Sequence, residues 1–411
     1  MSEKRIPEIR FIGFEDKWEL RELGEFAEEV TRNDPTSTAP IMMITAQNGF
    51  INQSERYSFD NSGESLAKYT LLKKHELAYN HGASKLRPYG SCFALPCDEA
   101  RIPFVYHCFS VSDNDPEFVS LYLNGSNVSN QLRKIVSSGA RMDGLLNISY
   151  EDYSTMILKC PNIREQEQIA NSLKTLDNLI SLQQTKVERL IILKKSMLEK
   201  MFPKGDEKVP EIRFAGFSGE WEKRKLGEIC ERVKRKNSNL ESKLPLTISA
   251  QYGLVDQTMF FKSQIASRDV SNYFLIKKGE FAYNKSYSDG YPFGAIKRLE
   301  RYEMGVLSTL YIIFAPNNEI INSDYLASYY ETNNWHRQVA ERAAEGARNH
   351  GLLNISAEAF LDTELIYPSK IEEQKKIGLY FQELDSLIAL NQHKLEKLKN
   401  IKSACLEKMF V

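Results

Sequence analysis

A chain of 411 residues is too long for one typical core and suits two domains with connecting elements. Its 42% hydrophobic and 27% charged residues are those of a soluble globular protein, and no run of about 18 uncharged apolar residues is present to span a bilayer. A net charge of −1 does not advertise a nucleic-acid binder, and the beginning, MSEKRIPEIRF, lacks the apolar core and cleavage site of a secretory signal, so the cytoplasm is the expected compartment.

Taken in chain order, the sequence repeats itself. PEIRFIGFEDKW at 7–18 returns as PEIRFAGFSGEW at 210–221, and ITAQNG at 44–49 returns as ISAQYG at 248–253. LAYNH at 77–81 then matches FAYNK at 281–285, and GARMDGLLNIS at 139–149 matches GARNHGLLNIS at 346–356. LEKMF closes both copies, at 198–202 and 406–410. Five matches in one order, at a period far beyond that of solenoid repeats, mean two duplicated domains.

Within each copy, short β-rich runs such as Tyr69–Leu72, Phe104–Val111 and Val306–Phe314 are broken by Gly, Asn, Ser and Pro clusters. Helical patterns follow at 117–136 and 324–344, so each copy is a mixed α/β domain. Pro161-Asn162 and Pro368-Ser369 then lead into charged, periodic runs with Glu165 and Glu372 at capping-box spacing. Apolar residues in the first run include Leu173, Leu176, Ile180, Val187 and Leu190 at heptad spacing, with Gln183 interrupting. In the second run Phe381, Leu384, Ile388, Leu395 and Leu398 repeat the seam, with Asn391 at the place of Gln183. Each helix of about 40 residues spans on the order of 60 Å. An antiparallel pair related by a pseudo-twofold brings Gln183 near Asn391; the other reading gives that gap to a partner's helix. The expected fold is α+β, with boundaries 1–161, 162–203, 204–368 and 369–411: two mixed α/β globular domains separated by two long antiparallel coiled-coil helices.

Six cysteines lie at irregular spacing in a chain that needs no disulfides. Cys92, Cys97, His107 and Cys108 have the ligand types for zinc without the paired short spacers, and the second copy does not repeat them, so ordinary thiols are the better reading and no metal is expected. No phosphate loop, dinucleotide fingerprint, zincin, nucleophile elbow or methyltransferase signature occurs, which leaves catalysis without a visible seat.

Charge is unevenly spread: Lys223 to Arg301 holds 16 Lys/Arg against 8 Asp/Glu, a basic stretch that either attracts phosphates or is a solvated face. Loops after the AYN motifs interleave polar, basic and aromatic residues able to contact bases and phosphates. In the first copy these are Asn80, His81, Ser84, Lys85, Arg87 and Tyr89; in the second, Asn284, Lys285, Tyr287, Ser288 and Tyr291, with Lys297 beyond. If the copies read different bases, shared segments carry scaffold, phosphate or partner contacts and divergent ones carry readout. Arg141 and Arg348 of the GAR segments are then either phosphate ligands or braces within the domain.

These motifs resemble the specificity subunits of type I restriction-modification enzymes over the whole chain. The resemblance rests on the P-E-I-R-F-x-G-F arms with Trp18 and Trp221, the AYN loops, the GLLNIS segments, and Glu165-Gln166 and Glu373-Gln374 after their prolines. It implies two target-recognition domains, each binding half of a split duplex DNA site, held apart by the long helices. It also implies two docked methyltransferase subunits that methylate adenine, restriction subunits joined through the helices, and S-adenosylmethionine, ATP and Mg in those partners, with no cofactor and no catalysis in this chain. The alternative class is a duplicated coiled-coil scaffold that binds no DNA.

Overall fold

The structure, a computed structural model, describes residues 6–56, 63–136, 145–249, 252–261, 269–286, 290–343 and 353–410. In the first copy a four-stranded antiparallel sheet runs in the order Ala27–Glu29, His107–Val111, Leu77–Asn80, Ser91–Ala94. Three two-stranded antiparallel pairs surround it: Glu19–Glu22 with Ile157–Cys160, Met42–Thr45 with Gly49–Asn52, and Thr70–Lys73 with Glu99–Ile102. The second copy repeats every pairing, with Cys230–Arg232, Ile312–Pro316, Phe281–Asn284 and Ala295–Arg298 in the same sheet order. The duplication read from motifs is therefore a duplication of topology. The expected run Val306–Phe314 is two strands, Met304–Leu307 and Ile312–Pro316, because Tyr311 N turns back onto the Ser308 carbonyl. The helical stretch at 117–136 is likewise two helices, Pro116–Leu123 and Ser126–Ile135, split at Gly125.

Strand alternation divides each domain's apolar residues between two cores. Leu77, Tyr79 and Phe109 face the larger core of the first domain, while Ala78 and Cys108 face a smaller one with Met42, Ile44 and Leu72. Phe281, Tyr283 and Phe314 repeat this against Ala282 and Ile313. The larger core is the one that takes in the long helices.

Those helices are Ile163–Lys200 and Ile371–Lys408, each 38 residues long. Two compact units result: residues through Gln184 with Lys394 onward, and Thr185 through His393. Each unit thus holds one globular domain, the first half of the helix that follows it in sequence and the second half of the other helix. In the first unit Ile169 and Leu173 share a core with Met409, and Asp177 pairs with Lys402 farther along. In the second, Ile377 and Phe381 share a core with Met201 and Phe202, and Asp385 pairs with Lys194. Both segments are therefore antiparallel. The seam residues Leu173, Val187, Phe381 and Leu384 are buried, and Leu176, Ile180, Leu190, Ile388, Leu395 and Leu398 are half-buried. Asn391 is buried and donates to its own helix at the Leu387 carbonyl, 2.7 Å away, while Gln183 is half-buried.

Each unit is closed by the P-E-I-R-F arm. Arg10 makes a two-pronged bond to Glu165, 2.7 Å on both prongs, with the Glu165 side chain fully buried. Arg213 does the same with Glu373, at 2.7 and 2.8 Å. The hydrogen bonds to Glu165 and Glu373 hold both guanidinium pKa values above their ordinary range. At its other side the arm reaches the opposite helix's C-terminus, where carbonyls lack intrahelical partners. The Lys408 carbonyl accepts from Glu8 N and Ile9 N, and the Lys200 carbonyl accepts from Ile212 N. One arm therefore ties the start of one helix to the end of its antiparallel neighbour. The expected capping box is half realised: Asn162 Oδ1 accepts from Glu165 N at 3.0 Å, but the Glu165 carboxylate turns to Arg10.

Gln166 and Gln374 complete the docking, each bonded to the peptide groups of a neighbouring turn and of its own helix start. The closing Met-Phe of each LEKMF motif packs into the unit entered by its helix: Phe202 against Trp221 and Tyr325, and Phe410 against Trp18 and Phe118.

A buried carboxylate stripped of its partner destabilises by about 3–5 kcal/mol. Arg213→Ala is expected to lower the stability of the second unit by that amount in urea unfolding followed by tryptophan fluorescence, and a change under about 1 kcal/mol would contradict the tie.

Candidate DNA interface

The loops after the AYN motifs are built by the same devices in both copies. Asn80 Oδ1 accepts from Gly82 N at 2.9 Å and Asn284 Oδ1 from Ser286 N at 3.0 Å, so each asparagine opens its loop with an Asx turn. At the far end the Tyr79 hydroxyl donates to the Tyr89 carbonyl at 2.7 Å, and the Tyr283 hydroxyl to the Phe293 carbonyl at 2.8 Å. Gly90 and Gly294 then close the loops with φ of +80° and +78°. A Cβ there would lie 2.6 and 2.1 Å from the carbonyl oxygens of Asn80 and Asn284, so only glycine fits.

The residue after each AYN ties the loop to the GLLNIS segment. His81 Nδ1 donates to the Leu146 carbonyl at 2.9 Å while Leu146 N donates to the His81 carbonyl at 2.9 Å. In the second copy Lys285 Nζ donates to the Ile355 carbonyl at 3.3 Å and Leu353 N to the Lys285 carbonyl at 3.0 Å. AYN and GLLNIS recur together because they are two sides of one contact. His107 adds a further tie in the first copy, its Nε2 donating to the Ile148 carbonyl at 3.0 Å, with its ring 5.2 Å from that of His81. Burial, with the neighbouring His81, holds the His107 pKa below its ordinary 6.5, although the bond to Ile148 opposes this. Strand register places Ile312 at the position of His107 in the second copy.

The sequence-predicted residues sort by exposure. Asn80, whose Nδ2 also reaches the Ile44 carbonyl at 3.0 Å, and the buried His81 are engaged inside the domain. Arg87 donates to the Asn124 carbonyl and is half-buried, and desolvation lowers its pKa. Tyr89 packs against the larger core. Ser84 stands exposed in a turn closed by Arg87 N, 3.0 Å from its hydroxyl, and Lys85 and Leu86 are exposed at the tip. In the second copy Asn284 and Lys285 are engaged as above, and Tyr291 is exposed. Lys297 is half-buried on its strand; burial raises the pKa of Asp385 on the long helix, and the charges of Lys194 and Lys297 oppose that rise. Arg141, Tyr287, Ser288 and Arg348 lie outside the described residues.

Seven cations of the basic stretch are, among the described residues, paired with acids, mostly ones beyond that stretch. Lys223 meets Glu364, Lys225 meets Asp362, Arg232 meets Glu358, Lys278 meets Glu303 and Arg298 meets Asp324, while Arg224 and Arg235 pair with Glu222 and Glu280. Counting charge along the sequence missed this, because the fold brings in Asp324, Glu358, Asp362 and Glu364 from helices and a strand far along the chain.

The cysteine and histidine group is taken apart by strand alternation. Cys92 enters the larger core and Cys108 the smaller, burial pushing the first thiol up and the second up to about 12. Cys97 Sγ lies 3.7 Å from Met42 Sδ. Among the described residues no group of three or more His, Cys, Asp or Glu is placed to hold a metal ion, and no helix is long and apolar enough to cross a membrane.

Each of the two domains thus presents a loop closed by the same devices: an Asx turn, a tyrosine hydroxyl and a glycine at positive φ. Residues 218–400 match the family model of the type I restriction modification DNA specificity domain. The chain is similar over 99% of its length to the S subunit of a type I restriction-modification system from M. genitalium, over 99% of that chain, at 15% identity and a TM-score of 0.56. The HsdS subunit from Thermoanaerobacter tengcongensis matches over 96% of each chain at 15% identity and a TM-score of 0.45. A chain from a structure of a type I R-M system matches over 96% of this chain and 98% of its own, at 14% identity and a TM-score of 0.48. The first module repeats the strand topology of the matched second module, and the fold of the chain is that of the M. genitalium S subunit.

Because the folded pKa of His107 lies below the unfolded value, the histidine disfavours the folded state once pH falls below about 6.5 and has no such effect above it. His107→Ile, which installs the second copy's residue, is expected to flatten the loss of first-unit stability between pH 7.5 and 5.5. Parallel slopes for variant and parent in urea titrations would reject the assignment.

Proposed function

We propose that each module reads one half of a bipartite, asymmetric DNA site and that the long helices set the gap between the halves. The observation that carries this reading is the pair of loops of equal length with common closures and unlike residues between them, Lys85-Leu86-Arg87 in the first copy where the second has Asp289-Gly290-Tyr291 in sequence. A fixed base with a variable tip is what two readers of different sequence need, since scaffold and backbone contacts position while base contacts specify. Lys85 supplies a phosphate or guanine contact, and Tyr291 a base or phosphate contact. Arg141 and Arg348 of the GAR segments serve as phosphate ligands.

The chain itself is non-catalytic. Methyltransferase subunits that use S-adenosylmethionine, and restriction subunits that use ATP and Mg, dock on it. Support for two methyltransferase subunits comes from exposed apolar residues that recur at equivalent helix positions: Leu179, Leu182 and Ile401 in the first unit, and Leu387, Leu390 and Leu193 in the second. A surface repeated residue for residue takes the same partner twice. A scaffold that binds no DNA has no use for the varied loop tips.

Exchanging residues 1–161 for those of another such subunit is expected to change one half of the methylated sequence, mapped by long-read sequencing, and to leave the other half and the gap intact. A change in both halves contradicts the two-reader model.

The ruler has its own test. The pairs Asp177–Lys402 and Lys194–Asp385 bracket an equal stretch of both helices, so seven residues inserted between 178 and 193 need a matching seven between 386 and 401. The matched insertion is expected to lengthen the gap by about 10 Å, roughly three base pairs, with both half-sites unchanged. An unaltered gap in the methylated site counts against the helices as spacers.

A further inference from the structure

The repeated hexapeptide ITAQNG at 44–49, returning as ISAQYG at 248–253, belongs to a tight β-hairpin in each copy. Thr45 pairs with Gly49 and Ser249 with Gly253, which leaves three residues for each turn. The turns are held alike. Thr45 Oγ1 accepts from Asn48 N at 3.1 Å, Ser249 Oγ accepts from Tyr252 N at 3.2 Å, and the glycines that follow have φ of +66° and +75°. Thr45 and Ser249 fill one role with one hydroxyl, so the single change of chemistry within the motif is Asn48 to Tyr252. Both residues are exposed, Tyr252 by 54%.

Each hairpin lies beside the loop that follows its AYN motif. It packs against the strand by which that loop leaves, Ser91–Ala94 in the first copy and Ala295–Arg298 in the second, each starting directly after the closing glycine. In the first copy the approach is close: Gly49 faces the Phe93 ring, which a Cβ would meet at 3.1 Å, and Asn80 Nδ2 donates to the Ile44 carbonyl at 3.0 Å. Gln47 and Asn48 of the hairpin and Arg87 of the loop line one cleft of about 770 Å³. The residue in the place of Arg87 in the second copy is Tyr291, exposed like Tyr252. Hairpin and loop therefore change together, Asn48 with Arg87 in one copy and Tyr252 with Tyr291 in the other.

We propose that this hairpin is a second reading element in each module, and that Asn48 and Tyr252 determine specificity at one base pair of their respective half-sites. This rests on the reading that each module binds half of a DNA site. The major groove admits a two-stranded β-ribbon, and the position of the tip is fixed because Ile44 and Ile248 anchor the hairpins in the smaller cores. The Asn48 amide presents a donor and an acceptor side by side, which match N7 and the N6 amino group of adenine. Tyr252 offers a single hydroxyl and an apolar ring, which suits the thymine methyl edge and cannot make the two-pronged match. One shared turn thereby serves two different base pairs.

The test is methylation of a duplex library randomised at the half-sites, by the complex of the full-length chain with its methyltransferase subunits, read by long-read sequencing. Asn48→Ala is expected to cut discrimination at one base pair of the first half-site about tenfold or more and to leave the second half and the gap unchanged. Tyr252→Ala is expected to relax one base pair of the second half alone. Neither position has a positive φ, and the turn bond runs from the main-chain nitrogen, so both variants keep the hairpin. Asn48→Asp, which removes the donor and keeps the shape, is expected to move the preference at that base pair from adenine toward cytosine. Unchanged preference in both halves overturns the proposal, as does a uniform loss of methylation at all sequences, which assigns these residues to phosphate contact or to the fold. Exchange of residues 1–161 separates this from the underlying reading. If that exchange moves neither half, the modules are not the readers; if it moves the first half while Asn48→Ala changes nothing, the hairpin assignment alone fails.

Discussion

A guanidinium locked onto a buried carboxylate at the start of each long helix is the constraint from which the rest follows. Glu165 and Glu373 are removed from water, and an ionised carboxylate in that setting requires a paired and hydrogen-bonded partner. Arg10 and Arg213 supply it with two prongs each, which fixes direction as well as distance. Because those arginines sit on arms whose backbone also caps the neighbouring helix, the arm cannot satisfy the carboxylate without setting the antiparallel pair at that end. The globular domain follows its arm in sequence, and Trp18 or Trp221 then meets the closing Met-Phe of the other helix.

Much of this was legible in the sequence, for identifiable reasons. The long helices announced themselves because heptad spacing over some 38 residues has no competing explanation, and the duplication because five motifs kept their order. Beneath those features the reading thinned where a residue's partner is distant in the chain. Arg10 and Arg213 were visible only as letters in a repeated motif, since nothing local says that their acids lie 155 and 160 residues away. LEKMF was recognised as a repeat, but not as a plug for the opposite unit. Asn80, His81 and Arg87 look like a polar loop in one dimension and are largely spent on turns and carbonyls in three.

The loops show how a reader can vary without refolding. Their ends are fixed by backbone acceptors, a tyrosine hydroxyl and a glycine no other residue can replace, none of which depends on the tip. His81 and Lys285 illustrate the tolerance inside that frame: imidazole and ammonium donate to neighbouring carbonyls of the same segment from the same place. The first copy makes that tie with two histidines, and so carries a sensitivity to acid that Ile312 removes from the equivalent strand position of the second.

The placement of the two Met-Phe plugs also orders events in time. All of the second unit, from Thr185 to His393, is continuous in sequence, whereas the first recruits Lys394 onward to complete its core around Trp18 and Phe118. During synthesis from the N-terminus the domain made first therefore waits with an unfilled aromatic pocket until Phe410 leaves the ribosome, and the domain made second closes before it. Truncation ahead of Met409 would strike hardest at the opposite end of the sequence.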